Sequence, residues 1–155
     1  MTETVDSAGV RFPPPFVYVA AVAFGYLLNQ ALPLPVGRSV WWNVVVVILA
    51  AAWAAMTFSS FVLFWRRRNS IIPTRPAHEL VISGPYRFSR NPMYVGLAFL
   101  TTAVAIVMNT WWPVLLLVPA LIVIRVTVIA REERYLKRRF GAEYEAYTRR
   151  VRRWI

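Results

Sequence analysis

The sequence predicts an all-α, polytopic membrane protein of about four transmembrane helices, with a tight helical hairpin late in the chain, a polar loop and a helical tail. Three observations predict it. Apolar residues make up 58% of the 155 residues and the mean hydropathy is +0.48, more than the core of a soluble domain this size needs. The excess collects into runs long enough to be membrane helices, bounded by proline or charge. The net charge is +11, yet the cations are confined to a few hydrophilic stretches around those runs.

Residues 1–15 are polar and end in Pro13-Pro14-Pro15, which suits an extended lead-in. Glu3, Asp6 and the lack of a basic start argue against a cleaved signal peptide, so Phe16 to Leu32 is predicted as a retained helix. At about 1.5 Å per residue it covers about 25 Å. Pro33 and Pro35 end it, and Arg38 sits in the short connection. Val40 to Trp65 is the longest run, with Trp41, Trp42 and Trp65 as interfacial anchors, and Arg66-Arg67-Arg68 closes it. Residues 66–91 form the polar loop. Pro92 to Met108 is the third run, opening on a proline where a helix has no use for an N–H. Asn109-Thr110 is a brief break, so the third and fourth helices should form a tight antiparallel hairpin. The fourth run continues to about Ala130, with Pro119 as a candidate kink and Arg125 as its one interruption. From Arg131 the tail alternates charge with aromatics, and Gly141 should divide it into two helical pieces. The chain reads as a single membrane domain over 1–155, in which 1–65 supply two spans and 66–155 the loop, hairpin and tail.

Charge sets the expected orientation. Six of the eighteen Lys and Arg residues fall in 66–90 and nine in 131–155, while Arg38 alone represents the other side. Positive-inside bias puts the loop and tail on the cytoplasmic face, and four spans put both termini there. This distribution points to membrane lipids and away from nucleic acid as the partner of the positive charge. The chain lacks cysteine, which excludes disulfides, thiolate nucleophiles and zinc–thiolate sites. A single histidine, His78, excludes a multi-histidine centre, so no metal is expected. A Gly-rich dinucleotide loop after a strand is also missing.

The residues that could carry chemistry lie in the loop His78 to Gly96 and around the end of the fourth run. The loop holds the histidine, Gly84-Pro85 and Asn91-Pro92, and the aromatics Tyr86, Phe88 and Tyr94 alternating with Arg87 and Arg90. Arg125 lies inside an apolar run, at a cost of roughly 2.5–3.5 kcal/mol on insertion scales. At about 100° per residue, Arg125 and Glu132 fall within roughly 20° of each other. Glu132 should therefore continue the buried stripe with Ile129 and Leu136, while Glu133 points about 100° away. Plainer readings stand beside these. Arg125 snorkels to the interface, and Glu132 and Glu133 pair with Arg131, Arg134 or Arg139. Tyr86 and Tyr94 are interfacial aromatics, Arg87 and Arg90 hold lipid phosphates, and His78 is a loop residue making one hydrogen bond.

Two motif blocks carry a resemblance. The first is H-x-L-V-x-x-G-x-Y over His78–Tyr86, followed by R-N-P-x-Y-x-G over Arg90–Gly96. The second is Glu132-Glu133, Leu136 and F-G-x-E-Y over Phe140–Tyr144. Together they bracket the helical hairpin, and residues 78–155 resemble the isoprenylcysteine carboxyl methyltransferase and phospholipid methyltransferase superfamily. The resemblance implies S-adenosylmethionine as cofactor, with contacts on His78, Glu79, Leu80, Val81, Tyr86, Asn91, Pro92, Met93, Tyr94 and Glu132. Asn91 stands where the family often has histidine. The implied activity is methyl transfer to a lipophilic acceptor reached from the bilayer, an isoprenylcysteine-type carboxylate or a lipid amine. A carboxylate acceptor would need a cation such as Arg125 to orient it; an amine would need deprotonation, with Glu133 or Tyr94 as candidates. Two other readings stay open: a membrane steroid or sterol reductase using NADPH, and a non-enzymatic basic protein that organises lipids or partners.

Overall fold

A computed structural model describes residues 13–67 and 79–155, so His78 lies outside the described residues. Five helices follow in order: α1 Pro15–Ala31, α2 Val40–Arg66, α3 Pro92–Val107, α4 Trp112–Ile124 and α5 Ala130–Arg150. A π-helical segment, Arg125–Ile129, joins α4 to α5, and a 3-10 turn, Gly84–Arg87, precedes α3. Among the described residues there is no strand. The chain is all-α, as expected.

Local chemistry explains where the helices begin and end. α1, α3 and α4 each open on a proline in the first turn, where the missing N–H leaves no bond unmade. α2 opens on Ser39, whose hydroxyl accepts from the Trp41 amide at 3.4 Å. α3 stops at Asn109, the one non-glycine residue with positive φ among those described, and the chain reverses there into α4. The hairpin is as tight as the sequence implies. α2 and the helical run starting at Trp112 are long and apolar enough to cross a membrane, while α1 and α3 are shorter apolar helices. From Trp112 to Ile129 the rise is about 27 Å, so the charged α5 lies beyond the crossing part.

The helices alternate in direction, and α3 sits at the centre. It packs along α2 on one side and meets α4 and α1 on the other, while α1 lies along α4. In a bilayer such contacts rest on close approach rather than on exclusion of water. Gly25 provides one: a Cβ there would come within 2.7 Å of the Pro113 ring and backbone nitrogen. Gly96 provides a looser one against Trp53 and Thr57 of α2, at 3.4 Å. α2 exposes Val44, Val47, Ile48, Phe58, Phe61 and Trp65, a surface suited to lipid.

At the hairpin end, the α1–α2 connection is clasped by α3 and α4. The Trp112 indole donates to the Leu32 carbonyl at 2.7 Å, the Trp111 amide to Leu34 at 3.0 Å, and the Gly37 amide to Asn109 Oδ1 at 3.0 Å. The opposite end gathers the start of α1, the end of α2, the loop and the tail. α5 bends at Gly141 (φ 49°, ψ −123°), a conformation that favours glycine, as the sequence reading expects. Past the bend, Tyr144 and Tyr147 pack with Leu80, Leu136, Phe140 and Val151. Trp154 then reaches back to the bundle, against the cluster of Tyr18, Leu117, Ile124, Val128 and Ile129.

The π segment changes one expectation. The Ala130 amide bonds the Arg125 carbonyl, five residues back, so this turn carries an extra residue. Everything after it is rotated by about 100° from the phase of an unbroken α-helix. Arg125 and Glu132 therefore do not share a stripe. Arg125 is exposed, Ile124, Val128 and Ile129 are fully buried, and Glu132 turns inward with Ile129 and Leu136.

Gly25→Ala should destabilise the protein by about 1–3 kcal/mol, because the backbone of Pro113 cannot move aside. Gly96→Ala should cost clearly less, since the atoms it meets are side chains. Thermal melts of both variants in detergent check this, and the reverse order would mean that α1 and α4 are not in close contact.

Candidate functional site

Glu132 is the residue around which the loop end is built. It lies just past the π segment, on the side of α5 that faces the start of α3. The Tyr94 hydroxyl donates to Glu132 Oε1 at 3.1 Å. Tyr94 itself sits in the first turn of α3, and its carbonyl accepts from the Tyr18 hydroxyl of α1 at 3.0 Å. Tyr86, from the 3-10 turn, lies close enough for its phenol to feel the Glu132 charge. Its hydroxyl is hydrogen-bonded to Ser60, a fully buried residue of α2, and its ring leans on Phe64 at 5.7 Å. The Tyr147 hydroxyl donates to the Tyr86 carbonyl at 2.8 Å, so the tail holds the turn in place. No lysine or arginine pairs with Glu132 among the described residues.

These surroundings set the electrostatics. Removal from water pushes the Glu132 carboxyl up to about 7; the bond from Tyr94 opposes the rise and the nearby Glu133 charge adds to it. Burial likewise pushes the Tyr86 phenol above its ordinary range, with the Ser60 bond opposing. Glu133, one residue on, has a different environment. The Arg153 guanidinium grips both its oxygens, Nε at 2.9 Å and Nη2 at 2.8 Å, and Arg90 lies at 3.2 Å. Those partners are not the Arg131, Arg134 or Arg139 that proximity along the helix suggests. Arg90 is correspondingly an internal residue of this cluster rather than one free to hold lipid phosphates, whereas Arg87 is exposed.

The structure brings together three of the sequence-predicted contacts, Tyr86, Tyr94 and Glu132. Others are placed differently. The Asn91 side chain donates to the Arg153 carbonyl at 3.0 Å, and its backbone amide donates to Ser89 Oγ at 3.0 Å. Pro92 is buried at the start of α3, and Met93 is half-buried beside it. Leu80 and Val81 are buried, Leu80 within the Tyr144–Tyr147 cluster. Glu79 is exposed and paired with Arg67. Arg125 is exposed, at the start of the π turn that rotates Glu132 out of its phase.

The two motif blocks, far apart in sequence, thus meet at one end of the bundle. The profile of the phospholipid methyltransferase family matches residues 42–143, well over half of the chain. The chain belongs to the phospholipid methyltransferase family. No curated protein and no solved structure matches it. The family match takes in α2 as well as the loop and hairpin, so Ser60 and Phe64 fall inside the span shared with this methyltransferase family.

Sequence reasoning misses Tyr18, Ser60, Arg153 and Tyr147. Tyr18 and Ser60 are polar groups inside apolar runs, and that was their available signal. Arg153 was hidden among many tail cations.

The raised Glu132 carboxyl makes stability depend on pH. Between about 4.5, its ordinary value, and about 7, the folded protein keeps a proton that the unfolded chain has lost. This contribution therefore falls as pH rises through that window, by at most about 1.4 kcal/mol per pH unit. Glu132→Gln lacks it, so thermal melts from pH 5 to about 7.5 should show the variant gaining on the wild type. Parallel profiles would place the carboxylate in water.

Proposed function

We propose that this methyltransferase family member transfers a methyl group from S-adenosylmethionine to a lipophilic acceptor, a lipid amine before a carboxylate. The observation that carries the reading is the half-buried Glu132 carboxylate, bonded by the Tyr94 phenol, lacking a cationic partner among the described residues and flanked by Tyr86. That set fits the cofactor. Glu132 would accept from its ribose diol or α-amino group, Tyr94 would fix the carboxylate, and Tyr86 with Phe64 would offer an apolar face to the adenine. When bound, S-adenosylmethionine supplies an electrophilic methyl on a sulfonium that departs as a neutral thioether. The chain's own part is to position and to exclude water, which is enough for an in-line displacement with a good leaving group. Arg125, the cation a carboxylate acceptor would require, is exposed and out of phase with Glu132, which favours the amine.

Binding of radiolabelled S-adenosylmethionine to detergent-purified protein, with NADPH as competitor, tests the reading. Glu132→Gln should weaken binding ten- to a hundredfold, the loss of one charge-assisted bond of about 1.5–3 kcal/mol. Glu143→Gln, at an exposed site, should change nothing. Displacement by NADPH with no effect of Glu132→Gln would move the chain to the reductase reading.

We also propose four spans with the loop, tail and both termini cytoplasmic, supported by the charge distribution and by the alternating helix directions. The chain has no cysteine, so Arg38→Cys and Arg150→Cys each give a unique label site. An impermeant thiol reagent added to intact cells should reach the first and not the second. The opposite pattern would invert the orientation.

A further inference from the structure

The segment Val151–Ile155 lies beyond the family match and has an unusual number of attachments for its length. The Arg152 carbonyl accepts from the Arg90 amide at 3.0 Å. The Arg153 carbonyl accepts from the Asn91 side chain at 3.0 Å and from the Ser89 hydroxyl at 3.3 Å. The Arg153 guanidinium holds Glu133, and Trp154 packs against the cluster that includes Tyr18, with Tyr94 and Leu97 at its edge.

Arg153 is thus bonded in two directions. Its carbonyl holds the residue just before α3, and Asn91 in turn accepts from the Tyr94 and Val95 amides to start that helix. Its guanidinium holds the residue next to Glu132. The two backbones that must stay in register for the Tyr94–Glu132 bond are therefore tied through one side chain and its own carbonyl. Glu133 and Arg153 are both partly shielded, at 21% and 31% side-chain exposure, so the pair is more than a solvated surface contact.

We propose that Arg153 is a positioning residue of the cofactor site, and that the 151–155 strap forms part of the wall that holds Tyr94 and Glu132 together. Arg153 acts through Asn91 and Glu133 and needs no contact with the ligand. The proposal rests on the functional reading above for its effect on S-adenosylmethionine, but the coupling it describes exists in the ligand-free protein. Glu133 then serves as an anchor for the strap.

The experiment has two readouts on Arg153→Ala, Arg153→Lys and the exposed control Arg152→Ala. The first is hydrogen–deuterium exchange of the ligand-free protein in detergent. Arg153→Ala should speed exchange at the amides of Arg90, Tyr94 and Val95 at least tenfold and leave mid-α2 unchanged. The second is S-adenosylmethionine affinity, which should fall three- to tenfold. Arg153→Lys keeps the charge but not the planar fork and should fall between the two, which keeps the test alive where Ala fails to fold. Arg152→Ala should move neither readout. Unchanged exchange at 90–95 overturns the proposal, and so does faster exchange with full affinity, because the strap would then be structural only. Wild-type protein that binds no S-adenosylmethionine overturns the functional reading instead, and the exchange data still decide whether Arg153 couples α3 to α5.

Discussion

A carboxylate enclosed at the end of an apolar helix bundle needs a donor, and the rest of this structure depends on how Tyr94 is brought to supply one. The bond between Tyr94 and Glu132 spans two helices separated by the hairpin. Tyr94 is steadied from α1 by Tyr18, and the start of its helix is set by Pro92 and Asn91. Glu132 is brought round by the π segment, which turns α5 so that it and not Arg125 faces inward. Each of these would be an isolated curiosity without that bond. Together they account for why polar groups sit at one end of helices that are otherwise almost wholly apolar.

Most of the fold was legible because it follows from strong local signals. The prolines that open α1, α3 and α4, the break at Asn109-Thr110 and the bend at Gly141 all act within a few residues. The motifs single out Tyr86, Tyr94 and Glu132, and these three lie close together across the hairpin. What failed to show were features without a local signature. The π turn is one: the run Ile124 to Ala130 reads as ordinary helix, and an unbroken 100° step placed Arg125 beside Glu132. The pairing of Glu133 is another. A tail rich in arginine offers many nearby partners, and the chain takes two that are distant, Arg90 and Arg153, because the bend at Gly141 folds the tail back. Tyr18 contributes through its hydroxyl, which hydrophobic pattern alone does not register.

The family match and the Tyr86–Tyr94–Glu132 group fall on the same part of the chain. The matched span begins in α2 and closes within α5, so it contains every helix that touches the Tyr86–Tyr94–Glu132 group except α1. The final strap lies outside it. A common core of loop and hairpin is thus completed in this chain by pieces from both ends, Tyr18 on one side and Trp154 on the other.

The clasp at the hairpin end has a mechanical consequence. Trp112, Trp111 and Asn109 hold the α1–α2 connection by three hydrogen bonds, so the four helices are pinned together on that side. α2 is attached along its length to α3 but not substantially to α1 or α4. The far end of α2, which carries Ser60 and Phe64, is joined instead to the loop, where Tyr86 leans on Phe64 and Arg67 pairs with Glu79. At that end α2 therefore depends for its place on α3 and on the loop.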